Sequence, residues 1–404
     1  MSNPPIDQVK EAEQLIVDEE VSKGFQTDRV MTIAGGHFIH DTYSAFIPPL
    51  LPLIRDSLSI NNTLAGSLAI VAQIPSILNP FIGYLADRVS VRYFVIMAPA
   101  ITGTAMSLMG LANSYVALVM LLLAGGVSIA AFHAPAPAMI GRISGKQVGK
   151  GMSFFMASGE LGRTMGPLAV AGGIELFGVG GLWRLAIVGW IVTAILFVRL
   201  RDVAARPNIA KGAMNDFWSR AGRFFLPLAL LMLFRNFMMA GLTTYLPIYM
   251  TDEVAASLWL ANGALTILEA AGVVGALFAG TWSDRFGRKR MLITLLSISP
   301  FVMLAFIYAP GWWKVPLLIL LGLTAISPSP VIMTLVQDHF PINRSLANGL
   351  YITSNFLVRS IGIFMIGFLF DRIGLVATFT LSAGLAFLSL PGVWLLPQAK
   401  IKVQ

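Results

Sequence analysis

The chain has 404 residues, of which 56% are hydrophobic and only 12% charged, with a mean hydropathy of +0.76 and a net charge of +8. A soluble domain carries about 25% charged residues, so a soluble globular fold is excluded: its surface would itself have to be apolar. Cysteine is absent, which removes disulfides and thiolate metal sites, and the excess positive charge is spread over loops rather than gathered into a patch for nucleic acid.

Residues 1–28 form a polar tail with Glu11, Glu13, Asp18, Glu19 and Glu20, without the basic-then-apolar order of a cleavable signal. A bilayer-spanning helix takes about 20 apolar residues. Twelve such runs follow, near 29–54, 62–86, 93–112, 114–141, 148–177, 182–200, 223–250, 257–281, 291–309, 314–338, 345–370 and 374–397. The longest polar gap, 201–222, divides them six and six. The expectation is an all-α integral membrane protein of twelve transmembrane helices in two pseudo-symmetric lobes. These are 29–200 and 223–397, with a linker at 201–222 and a tail at 398–404. Loop charge sets the orientation. Of 28 Lys and Arg residues, 21 fall on the side of the termini, four on the other side and three inside spans. The positive-inside bias places both termini in the cytoplasm of a cell with this protein in its inner (plasma) membrane.

The halves repeat one another. Gly83-Tyr-Leu-Ala-Asp87-Arg88-Val-Ser90-Val-Arg92 joins the second and third spans, and Gly280-Thr-Trp-Ser-Asp284-Arg285-Phe-Gly287-Arg288-Lys289 joins the eighth and ninth. Asp87 and Asp284 are 197 residues apart. At an offset of 196, Arg163 falls on Arg359, Gly166 on Gly362, Glu175 on Asp371 and Gly178 on Gly374. Parallel repeats about an axis along the membrane normal are the architecture this implies, and such folds belong to transporters.

These residues resemble the major facilitator superfamily, whose signature between the second and third helices is roughly G-x-L-A-D-R-x-G-R-K. Gly83, Asp87, Arg88 and Arg92 match it, with Ser90 in place of a glycine. Gly280, Asp284, Arg285, Gly287 and Arg288 carry the second copy. The segments His37 to Tyr43, Phe132-His133-Ala-Pro135 and Tyr245-Leu-Pro247 are similar to the fosmidomycin-resistance branch. Gly162-Arg-Thr-Met-Gly166-Pro167, followed by Gly172-Gly173, is similar to the glycine-proline helix of family antiporters, with four residues between the pairs where the family has two. The fold needs no partner to close its core, so a monomer is expected, and the resemblance implies a central cavity lined by the first, fourth, seventh and tenth helices. It also implies that the Asp87 loop acts as a gate holding one lobe against the other.

Charges at mid-membrane are costly, by about 2.5–3.5 kcal/mol on insertion scales, so each must face protein or water. Asp41, His37 and His40 cluster on the first span, with Asp41 and His37 four apart on one face. Histidine titrates near neutral pH, so Asp41, His37, His40, Glu160 and Glu269 are the candidates for proton handling. A hydrogen-bonded packing patch is the alternative, and Glu160 and Arg163 could simply neutralise each other. Arg359, Arg163 and Arg235 are the candidates for binding an acidic group, because guanidinium binds carboxylate and phosphate in a forked geometry. Interhelical ion pairing is their alternative. Tyr43, His133 and Tyr245 complete the substrate candidates on the helices that the resemblance places around the cavity.

No P-loop, zinc spacing or nucleophile motif is present, so an enzyme, a cofactor and a metal are not expected. The expected partners are a small molecule, protons and the bilayer. The reading is a proton-coupled efflux antiporter for a small anionic or amphiphilic compound. A proton symporter for an organic anion, or a transporter-fold sensor or lipid-handling protein, are the alternatives.

Overall fold

The computed structural model describes residues 24–78, 82, 92–133, 135–145, 147–201, 215–340 and 344–397. The acidic tail up to residue 23, most of the linker, the C-terminal tail and the first loop signature with Gly83, Asp87 and Arg88 lie outside the described residues. Where they are described, all twelve spans are helical, and there is no strand among the described residues.

Nine described spans are long and apolar enough to cross a bilayer by themselves. The first, second and fifth are the others, and each has a reason in its sequence. The first is two helices, Thr27–Ser44 and Ile47–Leu58. Pro48 and Pro49 lack the N–H groups a continuous helix would need there. The second begins as Asn62–Val71, tightens at Ile74–Leu78 and then leaves the described residues. The fifth, Val148–Phe177, is a single 30-residue helix with Glu160 and Arg163 at its middle. The seventh and tenth spans each contain a π-helical turn, Gly241–Tyr245 and Gly322–Ile326, a widening that is frequent at functional sites.

The repeat is visible in the backbone. The fifth span ends at Gly178 with φ 70° and ψ 168°, and the eleventh, Arg344–Ile373, ends at Gly374 with φ 84° and ψ 167°. Positive φ is the reason both positions are glycine. Each glycine N–H closes its helix on the residue four back, Ile174 and Phe370, which are themselves equivalent. The break after Ser44 corresponds at the same offset to the π-turn that starts at Gly241.

One expectation is corrected. The second signature is not a loop over its length: the eighth span, Leu258–Phe286, runs through Gly280, Asp284 and Arg285. Only Gly287, at φ 94°, turns the chain into the ninth span, Arg288–Tyr308. Arg288 Nε donates to Asp338 Oδ2 at 3.1 Å, and its Nη1 to Ser283 Oγ at 2.7 Å. This copy therefore ties the ninth span to the tenth within one lobe. The Asp284 side chain lies outside the description.

The lobes are joined at one end, and among the described residues the cores of the other end each stay within one lobe. A large apolar core combines both lobes, for example Phe46, Leu50 and Leu68 with Tyr245, Tyr249 and Phe379. Two further cores each stay within one lobe, around Phe132, Phe155 and Leu196 and around Phe224, Leu292 and Val336. The joined end also carries polar latches. Arg55 donates to both carboxylate oxygens of Asp252 across the lobes, at 2.5 and 3.0 Å. Asp371 accepts from the backbone N–H of Asn62 and Thr63 at 2.9 Å each, and from both of their side chains. A carboxylate at the C-terminal end of its own helix is poorly placed for that helix's dipole. Here it is well placed for the N-terminus of another. Its repeat equivalent, Glu175, is exposed beside Leu258 and Trp259 at the start of the eighth span.

Candidate functional site

Close packing of the first span on the fifth builds the site. A Cβ on Gly162 would lie 2.3 Å from Phe38 O, one on Gly166 2.6 Å from Ala45 Cβ, and one on Gly159 2.4 Å from His37 Cε1. Three glycines on one face of the fifth span thus form a groove that receives the first. The glycine-proline motif has this packing role, and it brings Asp41 against Arg163.

Asp41 is fully buried. Its Oδ2 accepts from Arg163 Nη1 at 2.8 Å and lies 3.3 Å from His37 Nε2, while its Oδ1 lies 3.3 Å from His133 Nε2. Arg163 also pairs with Glu160, one turn earlier on its own helix. His37 Nδ1 contacts the Phe155 carbonyl at 2.8 Å, and the His37 ring stacks on Phe155. A carbonyl only accepts, so Nδ1 carries a proton. A neutral His37 then presents a bare Nε2 lone pair to a carboxylate oxygen. That contact is favourable only when a further proton lies between them.

His40 makes no ion pair with Asp41 among the described residues, and its ring lies 5.7 Å from the His133 ring. It is buried with its ring stacked on Phe132 at 4.4 Å. Tyr43 and Tyr245 are held elsewhere. Tyr43 Oη donates to Leu185 O at 2.5 Å and accepts from Gly189 N–H at 3.0 Å, bracing the first span on the sixth. Tyr245 Oη donates to Ile363 O at 2.9 Å, with Asn62 O at 3.3 Å, inside the joined end.

The second lobe carries a different set. Arg235, 4% exposed, donates through Nη2 to Ala325 O and Ser329 Oγ, both at 2.9 Å. Arg359 Nη2 donates to Thr243 Oγ1 at 3.2 Å. Asn236 Nδ2 donates to Asn355 Oδ1 at 3.2 Å along the same seam between the seventh and eleventh spans. Glu269 on the eighth span is the mid-span acid of this lobe and makes no ion pair with an arginine among the described residues.

Sequence reasoning missed Phe155, Ser329, Asn236 and Asn355. Neutral polar residues in apolar runs are common, and only their partners across helices single them out. It also missed the Arg55–Asp252 latch, whose members are 197 residues apart. Asp371 left a signal, an acid at a helix C-terminus where the dipole disfavours it.

A sequence profile described as Major Facilitator Superfamily matches residues 33–341 and 228–403. The fosmidomycin resistance protein of Escherichia coli (strain K12) is 22% identical over 371 residues, covering 90% of this chain and 91% of that protein. A D-xylose–proton symporter superposes with a TM-score of 0.73 at 18% identity, over 92% of this chain and 98% of its own. A bacterial homologue of the human lysosomal transporter Spinster, solved inward-facing and unoccupied, superposes with a TM-score of 0.72 at 15% identity, over 92% and 95%.

Proposed function

The chain belongs to the major facilitator superfamily of membrane transporters, and from that premise we propose a proton-coupled exporter of a small anionic or amphiphilic organic compound. It works as a monomer by alternating access. Membership of a transporter family answers the enzyme alternative. With the termini in the cytoplasm, as loop charge indicates, the joined end faces outward and the conformation is inward-facing.

The observation that carries the coupling is Asp41, enclosed by His37, His133 and Arg163. A proton reaching Asp41 from outside is held against His37 Nε2. The lobes then switch, and the proton leaves as Arg163 takes up the carboxylate charge. Glu269 is the second carrier. Export is supported by the fosmidomycin resistance relative and by the glycine-proline helix. The Asp87 loop, outside the described residues, is the gate of the opposite end. Asp87→Asn leaves the protein folded and slows transport.

A second reading has its own observation. The described mid-span charges of the first lobe are two acids and one arginine, and those of the second are two arginines and one acid. Opposite imbalances favour a proton and an organic anion bound together, which is what a symporter requires.

Proteoliposomes with an imposed pH gradient separate these readings, using as substrate the compound that a growth-inhibition panel identifies. An exporter moves preloaded compound out faster when protons flow in, whereas a symporter takes it up. Asp41→Asn is expected to abolish gradient-driven transport while leaving counter-exchange measurable. Full gradient-driven activity in Asp41→Asn, Glu269→Gln and the double variant removes both carboxylates from coupling.

A further inference from the structure

The geometry of the second lobe points to a binding site for one acidic group. We propose that Arg235 and Arg359 hold the oxyanion of an organic carboxylate, phosphate or phosphonate, and that the substrate is a monoanion at this position. The inference rests on the transporter reading and adds where the substrate's charge sits.

Sequence alone treats Arg163, Arg235 and Arg359 as equivalent candidates. The structure divides them. Arg163 already faces two carboxylates, Asp41 and Glu160. Arg235 and Arg359 face none within ion-pair distance among the described residues. Their partners are a backbone carbonyl and the hydroxyls of Ser329 and Thr243. These oxygens satisfy hydrogen atoms and leave the charge uncompensated. The Nε of each guanidinium makes no hydrogen bond. The two arginines lie on one seam: Asn236, next to Arg235, bonds to Asn355, one turn before Arg359, and Arg359 itself reaches back to Thr243 of the seventh span.

Burying a guanidinium in a membrane protein without a counter-charge is costly. Glu269, the mid-span acid among the described residues of this lobe, offers at most one negative charge and makes no ion pair with either arginine. Two guanidinium groups with one carboxylate leave a deficit of one negative charge, which a monoanionic ligand fills. The forked donors of arginine suit a carboxylate or a tetrahedral oxyanion. On the eleventh span, Asn355 and Arg359 lie one turn apart on the face that meets the seventh span through Asn236 and Thr243. The Asn236–Asn355 amide pair supplies neutral donors beside the two charges. In the first lobe, by contrast, the acids outnumber the arginine. The lobes thereby differ in charge, the first acid-rich around Asp41 and the second arginine-rich where the substrate's charge sits.

The test is equilibrium binding by titration calorimetry, on purified full-length protein at fixed pH with no gradient. The probes are benzoate, compared with methyl benzoate, and the monoanionic monomethyl ester of phenylphosphonic acid, compared with its neutral dimethyl ester. Wild type is expected to bind an acid at least about tenfold more tightly than its ester, and Arg359→Gln and Arg235→Gln to lose about thirtyfold or more for the acid with the ester unchanged. Arg184→Gln, which removes the same charge near the joined end, is expected to change neither. Should the glutamine variants fail to elute as folded protein, Arg359→Lys and Arg235→Lys carry the test. They retain the charge without the fork, and about a tenfold loss for the acid alone is expected. An acid bound no better than its ester by wild type overturns the proposal. So does an equal loss for acid and ester in the variants, which makes the arginines structural. Failure of the proton-coupling reading shows separately, in gradient-driven transport by Asp41→Asn.

Discussion

Arg163 in the fifth span and Arg359 in the eleventh occupy equivalent positions in the repeat, yet they keep different company. Arg163 bonds to Asp41 and pairs with Glu160. Arg359 meets a threonine hydroxyl. The surrounding frame is shared: both helices end on a glycine at positive φ, and both bring a glycine, Gly166 or Gly362, against the first helix of their own lobe. Duplication therefore preserved the backbone and its close contacts while the charges diverged. The cost of burying a charge depends on its partners, and partners can change one side chain at a time without altering the frame.

The comparison is broken most severely at Asp41. Asp41→Ala leaves Arg163 with Glu160 alone and strands the two histidines, and an unfolding loss of about 3–5 kcal/mol is expected for a broken buried pair. Thr243→Ala, which removes the partner of Arg359, is expected to cost only about 1 kcal/mol, the size of one ordinary hydrogen bond. Thermal or denaturant unfolding in one detergent compares the two. Equal losses would mean that the lobes do not differ as described.

The next effect concerns the shared frame. Gly162→Val pushes a side chain towards Phe38 O, already 2.3 Å from an ideal Cβ. Overpacking of this kind is expected to cost about 1–3 kcal/mol and to separate Asp41 from Arg163. At Gly362 the nearest atom is Asn236 O at 3.0 Å, so Gly362→Ala is expected to cost less. A reversed order in unfolding midpoints would put the tighter helix pair in the second lobe.

Smaller effects belong to the joined end. Asp371→Ala removes a helix N-terminal acceptor, a change worth about 0.5–2 kcal/mol. The distance between spin labels at Ser57 and Glu253 is expected to broaden towards open values, and an unchanged distribution would show that the apolar core alone holds this end. Glu175→Ala, at the equivalent position of the other lobe, is expected to stay within about 0.5 kcal/mol and to leave that distribution as it was. Any opening in this variant would reveal a second latch that the present conformation does not engage.

Much of the fold was legible in the chain. Apolar run length located the twelve spans, and the offset of 196 between Arg163 and Arg359 located the repeat. The site was legible only as an inventory. Asp41 and His37 could be paired because four residues make one helical turn. His40, adjacent in sequence, stacks on Phe132 and lies beside the His133 ring. Tyr43 and Tyr245 were read as cavity residues, whereas their hydroxyls brace helix packing. Side-chain direction depends on helix rotation, which no local pattern reports.

The sequence by itself determined that this chain lives in a membrane, that it is a doubled six-helix unit, and which ionisable residues the bilayer would force inward. Those properties follow from local composition and from spacing along one chain. The tertiary structure alone decided that Arg163 belongs to the acids of the first lobe, that Arg235 and Arg359 stand without an ion-pair partner among the described residues, and that Asp371 caps a helix 308 residues away. These outcomes depend on how closely two helices approach. That distance is set by the glycines at the contact and by the side chains of both partners together.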